Sequence, residues 1–187
     1  MSADGPPAAP APADRCAADL GDAARPERGA GVVATLCLHR FERALGRAWG
    51  FGQMGFARGP LRRLGPSFFK LMGAGRGVGF DPRPDFRVWA SLAVWPDLPT
   101  ARAALAAPVM ARFRARADES WTAFLAPISS RGRWAGVAPF GPAPERAPPA
   151  AGPVAVLTRA ALAPLRARRF WSRVPAISEA IAEQDAA

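Results

Sequence analysis

The chain has 187 residues, half of them apolar, and a formal net charge of +10 at pH 7. This length allows one domain and part of another. Its longest apolar runs, of about seven residues, fall far short of the roughly 20 that a membrane-spanning helix needs. Two cysteines, Cys16 and Cys37, are too few for a disulfide framework, and the first residues show no secretory signal, so a reducing cytoplasmic location is expected.

The first predicted elements are a tail, a strand and a helix rich in glycine. Residues 1–30 are dominated by alanine, proline, aspartate and glycine, which predicts disorder. The β-branched start of Val32–Phe41 predicts a strand, and Leu45–Ala57 is predicted to be a helix. Small residues fall on one face of this helix and the turn after it: Ala48, Gly52, Gly55 and Gly59. Since a helix glycine costs roughly 1 kcal/mol against alanine, this face predicts close approach of another helix or of a flat apolar ligand.

Further strands and one more helix follow an arginine- and proline-rich turn at 58–66. Phe68–Phe80 contains a strand that ends in a run of glycines, and Phe86–Trp95 alternates in the manner of a central strand. Thr100–Arg116 is predicted to be a single helix with Thr100 as its N-cap. Trp121–Pro127 is the last strand of this unit, continued loosely by residues 132–140.

The resulting order, β-α-β-β-α-β, predicts an α+β protein with a ferredoxin-like domain over residues 31–140. Residues 141–153 include five prolines and predict a linker. A strand at Val154–Thr158 and helices within Leu162–Ala182 then restart the pattern, so residues 154–187 are expected to open a second repeat. The first domain would form one half of a tandem α+β barrel, and the chain ends before the second repeat could be completed.

Residue chemistry alone indicates little about function. The sequence shows no Cys/His metal cluster, and its one histidine, His39, limits any Ser-His-Asp set to one. The glycine run at 73–79 departs from G-x-G-x-x-G because Val78 stands at the third glycine position, so a flexible turn is the simpler interpretation. The basic charge favours an acidic partner or an anionic membrane surface. Nucleic acid is disfavoured because no basic-aromatic motif accompanies that charge.

Five long segments of unusual composition point to a known family. They are FGQMGFARGPL (51–61), FFKLMGAGRGVGFDPRP (68–84), VWASLAVWPD (88–97), APVMARFRARADESWTAFLAPISSRGRWAGVAPF (107–140) and RFWSRVPAISEAI (169–181). In these segments the chain resembles the spheroidene monooxygenases of carotenoid biosynthesis in purple photosynthetic bacteria. The resemblance runs from about Val32 to Ile181.

The resemblance implies an oxidoreductase that inserts oxygen from O2 into acyclic carotenoids such as spheroidene, leaving a keto group. It also implies haem as the cofactor and reduced ferredoxin, an acidic partner, as the electron donor. Peripheral contact with the photosynthetic membrane is expected, since carotenoids reside there. Relatives continue beyond this chain's last residue, so a C-terminal truncation, with self-association through uncovered apolar groups, is also expected.

A pocket for a long apolar rod needs aromatic and small side chains. The candidate substrate-binding residues are Trp49, Phe51, Gly52, Met54, Gly55, Trp89, Trp95 and Trp121. His39 is the candidate haem ligand, with the Cys37 thiolate as a second choice, and no catalytic residue is assigned. Ordinary core roles for the aromatic residues, the histidine and the cysteine remain open.

A non-enzymatic alternative also remains open. In it, the chain is a catalytically inactive fragment, a small ferredoxin-like module that binds an apolar ligand or a partner protein. The absorption spectrum after addition of haem would separate this alternative from the haem enzyme.

Overall fold

A four-stranded antiparallel sheet with helices on one side forms the body of the protein. The computed structural model describes residues 32–76, 83–134, 136–140 and 153–157. In chain order the elements are β1 (Val33–Arg40), α1 (Ala44–Phe56), α2 (Arg58–Arg63), β2 (Phe68–Gly75), β3 (Pro84–Trp95), α3 (Leu98–Ala106), α4 (Pro108–Arg116) and β4 (Glu119–Leu125). The strands lie in the order β2-β3-β1-β4. This strand order, with helices after β1 and after β3, is the ferredoxin-like arrangement, so the predicted fold class is confirmed.

Side-chain alternation along β1 divides the sheet into two faces. One face, here called the helix face, carries Val33, Cys37 and His39 on β1 and packs against α1, α3 and α4. The opposite face carries Ala34 on β1 and the neighbouring Leu92 and Val94 on β3. Near Phe68 this second face is covered by Trp134, whose ring centroid lies 5.7 Å from that of Phe68. The two faces therefore bury two separate groups of core side chains.

Glycine allows α1 to lie directly on the helix face, but at a different position from the predicted one. A Cβ at Gly50 would lie 2.8 Å from Cδ1 of Trp89 and 3.1 Å from Cε2 of Phe41. The predicted small-residue face is turned outward, because Gly55 is exposed and no described atom would lie within 4 Å of a Cβ there. Among the described residues, the close approach to the backbone occurs at Gly50, so the expectation for the Gly55 face is wrong with respect to helix packing.

The two glycines provide a matched test of this packing. Gly50→Ala should lower the free energy of unfolding by about 1–3 kcal/mol, since the new methyl group forces Trp89 or Phe41 out of place. Gly55→Ala in the same helix should raise it by about 0.5–1 kcal/mol, because it meets open space and improves helix propensity. Denaturant unfolding of both variants measures the difference. Equal effects of the same sign would contradict the packing of α1 described above.

The predicted helix Thr100–Arg116 is two helices in the structure. Ala107 lies between α3 and α4 with φ −61° and ψ 151°, an extended conformation that the following Pro108 favours. The N-cap of α3 is Asp97, whose Oδ1 accepts a hydrogen bond of 2.7 Å from the backbone N–H of Thr100. The prediction of Thr100 as the cap was therefore wrong by three residues.

Three smaller expectations also changed. The turn at 58–66 contains the short helix α2, residues 132–140 form only an isolated bridge between Trp134 and Val137, and Val154–Leu157 has no regular structure. The predicted tail at 1–30, the linker at 141–152 and the helices within Leu162–Ala182 lie outside the described residues. No helix in the part of the chain that the structure describes has the length and apolar character needed to cross a bilayer.

Candidate functional site

Three of the predicted site residues meet beside the single histidine on the helix face. Trp89 on β3 lies directly opposite His39 on β1 in the strand register. Trp49 and Met54 of α1 pack against the same core cluster from above. Phe113 of α4 closes the group, with its ring stacked on His39 at a centroid distance of 5.1 Å. Helices α1 and α4 thus hold an aromatic enclosure over the His39–Trp89 pair.

His39 is buried, oriented and neutral. Its side chain is 3% exposed, and its Nδ1 lies 2.9 Å from the Ser120 Oγ of β4, within hydrogen-bonding distance. Burial, together with the nearby Arg114 guanidinium, lowers the pKa of His39 from 6.5 to about 4. Its Nε2 is buried and has no hydrogen-bond partner among the described residues. At neutral pH the group is therefore a fixed, uncharged imidazole with one ring nitrogen available.

Two tryptophans on the same face of β3 differ in how their N–H groups are satisfied. Trp95 Nε1 donates a buried hydrogen bond of 2.9 Å to Oγ1 of Thr35 on β1. Trp89 Nε1 is equally buried, but no described group accepts its hydrogen. Buried polar groups without partners are uncommon and costly, and here two of them occur on side chains that lie opposite each other.

Two small cavities lie between the sheet and the helices, and they share Ser91. The first has no room for a water molecule and is lined by His39, Met54, Leu71, Trp89, Ala90, Ser91 and Phe113. The second has room for about one water molecule and is lined mainly by apolar side chains from β2, β3, α2 and α4, with Trp95 at one side. The shared serine places the cavities next to each other along β3. Together they mark a mostly apolar line of closely packed side chains under the helices, which we call the helix-face path.

The remaining predicted substrate-binding residues are distributed elsewhere. Phe51 is mostly exposed, although its ring centroid lies 5.8 Å from that of Trp89, and a Cβ at Gly52 would lie 3.7 Å from Cδ2 of Phe56. Gly55 faces open space. Trp121 lies on the opposite face of the sheet and is 54% exposed. The helix-face path therefore does not include Gly55 or Trp121, and their role in substrate binding stays a prediction.

Sequence reasoning missed three residues of this site. Ser120 was missed because the last strand was expected to begin at Trp121, whereas it begins at Glu119. Phe113 and Ser91 were not among the predicted site residues. Ser120 lies on the face of His39 because β4 pairs with β1 in a register that places the two residues opposite each other, and a strand start alone does not give that register.

The described residues place one unpartnered imidazole nitrogen, His39 Nε2, in this site but no cluster of metal ligands. Within the described ranges, no group of three or more His, Cys, Asp or Glu side chains could hold a metal ion. Cys37 is 1% exposed and belongs to the core cluster beneath α4. A buried thiol among apolar side chains behaves as packing, because burial disfavours the thiolate.

The fold and this site define a ferredoxin-like α+β protein that encloses a neutral imidazole in an apolar environment. The chain is 44% identical over 153 residues to the spheroidene monooxygenase of Rhodobacter capsulatus, covering 81% of this chain and 64% of that protein. It is 43% identical to the spheroidene monooxygenase of Cereibacter sphaeroides, with 80% of this chain and 46% of that protein covered. Over about four fifths of its length the chain is therefore similar to spheroidene monooxygenases, which confirms the predicted resemblance, and it spans roughly half to two thirds of the length of these relatives.

Comparisons with family models and with solved structures do not extend this result. No family model matches the chain. Among solved structures, a mutant of SnoaB, a cofactor-independent oxygenase from Streptomyces nogalater, is 20% identical with a TM-score of 0.37, covering 54% of this chain and 97% of SnoaB. A protein of unknown function from Rhodopseudomonas palustris is 19% identical with a TM-score of 0.35, covering 55% of this chain and 86% of its own. These scores are too low to carry an argument, so the fold assignment rests on the strand order itself.

Proposed function

We propose that this chain acts in the oxidation of acyclic carotenoids, inserting oxygen from O2 as in the conversion of spheroidene to spheroidenone. The observation that carries the proposal is the 44% identity over 153 residues to a spheroidene monooxygenase. The chain spans 64% of that relative's length, and we propose for it the activity of the whole relative.

The chemistry of the helix-face path supports an apolar substrate. Its lining is dominated by aromatic and aliphatic side chains, with few polar groups, of which His39 and Ser91 are two. Such a lining favours a hydrocarbon body, and the few polar groups set its orientation. The proposed substrate-binding residues in this path are Met54, Trp89 and Trp95, and Trp49 packs against Phe113 next to it.

Haem, which the resemblance implies, fits the described residues in chemistry but not in space. A neutral imidazole whose Nδ1 is held by Ser120 and whose Nε2 is unpartnered has the form of an axial ligand. The cavity beside it does not admit even a water molecule as the side chains stand. A macrocycle cannot enter while Phe113 is stacked on the imidazole ring. Haem bound at His39 is therefore not part of the proposed function.

Reduced ferredoxin remains the proposed electron donor, and charge supports it. The chain carries a net charge of +10, and exposed arginines cluster on α2, where Arg58, Arg62 and Arg63 lie within six residues. A basic surface of this kind steers an acidic protein toward it and also suits contact with an anionic membrane. Both contacts are proposals for this chain.

Pigment analysis tests the activity. We expect that the chain, produced with oxygen in a cell that accumulates spheroidene and lacks its own spheroidene monooxygenase, converts spheroidene to a keto carotenoid. The Rhodobacter capsulatus relative, produced in the same cell, is the positive control. A folded chain that leaves spheroidene unchanged while the relative converts it would refute the activity and favour the apolar-ligand module.

A further inference from the structure

The unpartnered nitrogen of His39 is the feature that the fold alone does not explain. Its Nε2 is buried and unpartnered, and His39 lines the first cavity of the helix-face path. Trp89 lines the same cavity, and its indole N–H, which lies beside Gly50 of α1, is unpartnered as well. The neighbouring Trp95 shows that this fold can satisfy a buried indole, since Thr35 accepts its hydrogen. A buried imidazole nitrogen without a partner, on a residue that lines an apolar cavity, indicates that its partner comes from outside the described chain.

Water cannot be that partner as the side chains stand. The cavity beside His39 has no room for a water molecule, whereas the second cavity, around Ser91 and Trp95, has room for about one. Met54 forms part of the wall of the first cavity. Methionine is unbranched and has three rotatable bonds, so its displacement is an accessible way to open the cavity to a ligand.

The two cavities favour a ligand of a particular shape. Ser91 lines both, so a molecule that enters can extend along β3 from His39 toward Trp95. Nearly all of this path is apolar, and the buried imidazole nitrogen is at one end. An elongated hydrocarbon with one polar atom near its end matches this distribution of groups.

We propose that the helix-face path binds an elongated apolar molecule that carries a hydroxyl or keto oxygen, and that His39 Nε2 forms the hydrogen bond to this oxygen. The natural ligand would be an oxygenated carotenoid, an identity that rests on the proposed function. His39 acts here as a positioning residue for the oxygen-bearing end.

The pairing of His39 with Ser120 suits both forms of that oxygen. When Nδ1–H donates to Ser120 Oγ, Nε2 is an acceptor and takes a hydrogen bond from a ligand hydroxyl. When the Ser120 hydroxyl donates to Nδ1, Nε2–H becomes a donor to a ligand carbonyl. A serine hydroxyl rotates freely between these roles, so one site serves an alcohol and the ketone derived from it.

The experiment uses small probes and the full chain labelled with ¹⁵N at histidine. Cyclohexanol and cyclohexanone carry the oxygen, and methylcyclohexane is a hydrocarbon of similar size. His39 is the sole histidine, so its two ring nitrogens give an unambiguous signal. We expect each oxygenated probe to shift the Nε2 resonance. We also expect the affinity for cyclohexanol relative to methylcyclohexane to fall about tenfold in His39→Phe, which keeps an aromatic ring against Phe113.

Two further variants keep the proposal open to refutation. Met54→Ala enlarges the cavity, so it should bind all three probes more tightly and keep the preference for the oxygenated ones. Ser120→Ala should weaken that preference by a smaller factor than His39→Phe, with methylcyclohexane binding unchanged. The same probe preference in His39→Phe as in the natural chain, or failure of all probes to bind both the natural chain and Met54→Ala, would overturn the proposal. These measurements involve no oxidation, so their outcome is independent of the pigment analysis.

Discussion

Phe113→Ala should lower the free energy of unfolding by about 3–5 kcal/mol, a large loss for a single substitution. Phe113 is 3% exposed and belongs to the main core cluster. Its ring stacks on His39 and meets Trp49 edge-on at a centroid distance of 5.3 Å. Removing it takes away buried apolar surface and leaves a void in the core cluster.

The chain offers a control with the same chemical change. Phe56, the last residue of α1, is 81% exposed, so Phe56→Ala should change the free energy of unfolding by no more than about 0.5 kcal/mol. Urea unfolding of both variants measures this contrast. In Phe113→Ala the pKa of His39 should also rise toward its ordinary value, because water can enter the void and solvate the charged form. A loss of unfolding free energy in Phe113→Ala as small as that in Phe56→Ala would show that Phe113 is not a core residue.

The strands were predictable from sequence because alternation along a strand is a local property. The faces of Val32–Phe41 and Phe86–Trp95 follow directly from side-chain period, and the ferredoxin-like order follows from the succession of elements. The break between α3 and α4 was also readable, since Ala107 precedes a proline. The break was not predicted because apolar residues recur at helical spacing on both sides of Ala107.

The orientation of α1 could not be read from the same kind of pattern. Gly46 and Gly50 are four residues apart and face Phe41 and Trp89, whereas Gly52 and Gly55 lie on another side of the same helix. Both sets have the spacing of a small-residue face. Which set is buried depends on contacts with distant strands, and large apolar residues on the exposed side, such as Leu45, remove the usual amphipathic signal.

The candidate site depends on the tertiary structure in the same way. His39 and Ser120 are 81 residues apart, and their contact requires β1 and β4 to pair in one register. The separate pairing of β1 with β3 places Trp89 opposite His39. Sequence could indicate aromatic residues suited to an apolar pocket, but it could not show that His39 Nε2 would lack a partner. That property emerges only when all neighbours are in place.

The stability of the protein should fall by about 3 kcal/mol between pH 6.5 and pH 4 through His39 alone. Burial lowers the pKa of His39 from 6.5 to about 4 in the folded chain, while the unfolded chain keeps the ordinary value. Between these two pKa values the unfolded state binds a proton at His39 and the folded state does not. Falling pH therefore favours unfolding throughout this interval. The contribution of His39 is fully present above pH 6.5 and is lost by about pH 4.

Comparison with His39→Phe isolates this effect. Carboxylates also titrate toward the lower end of the interval, but they do so in both proteins, and the chain has no second histidine. The free energy of unfolding of the natural chain should therefore decline more steeply with falling pH than that of His39→Phe. The gap between the two proteins should change by about 3 kcal/mol from pH 6.5 to pH 4. Parallel pH profiles, or an NMR titration of the folded chain with a midpoint near 6.5, would show that His39 is solvated and that the enclosure over it is open.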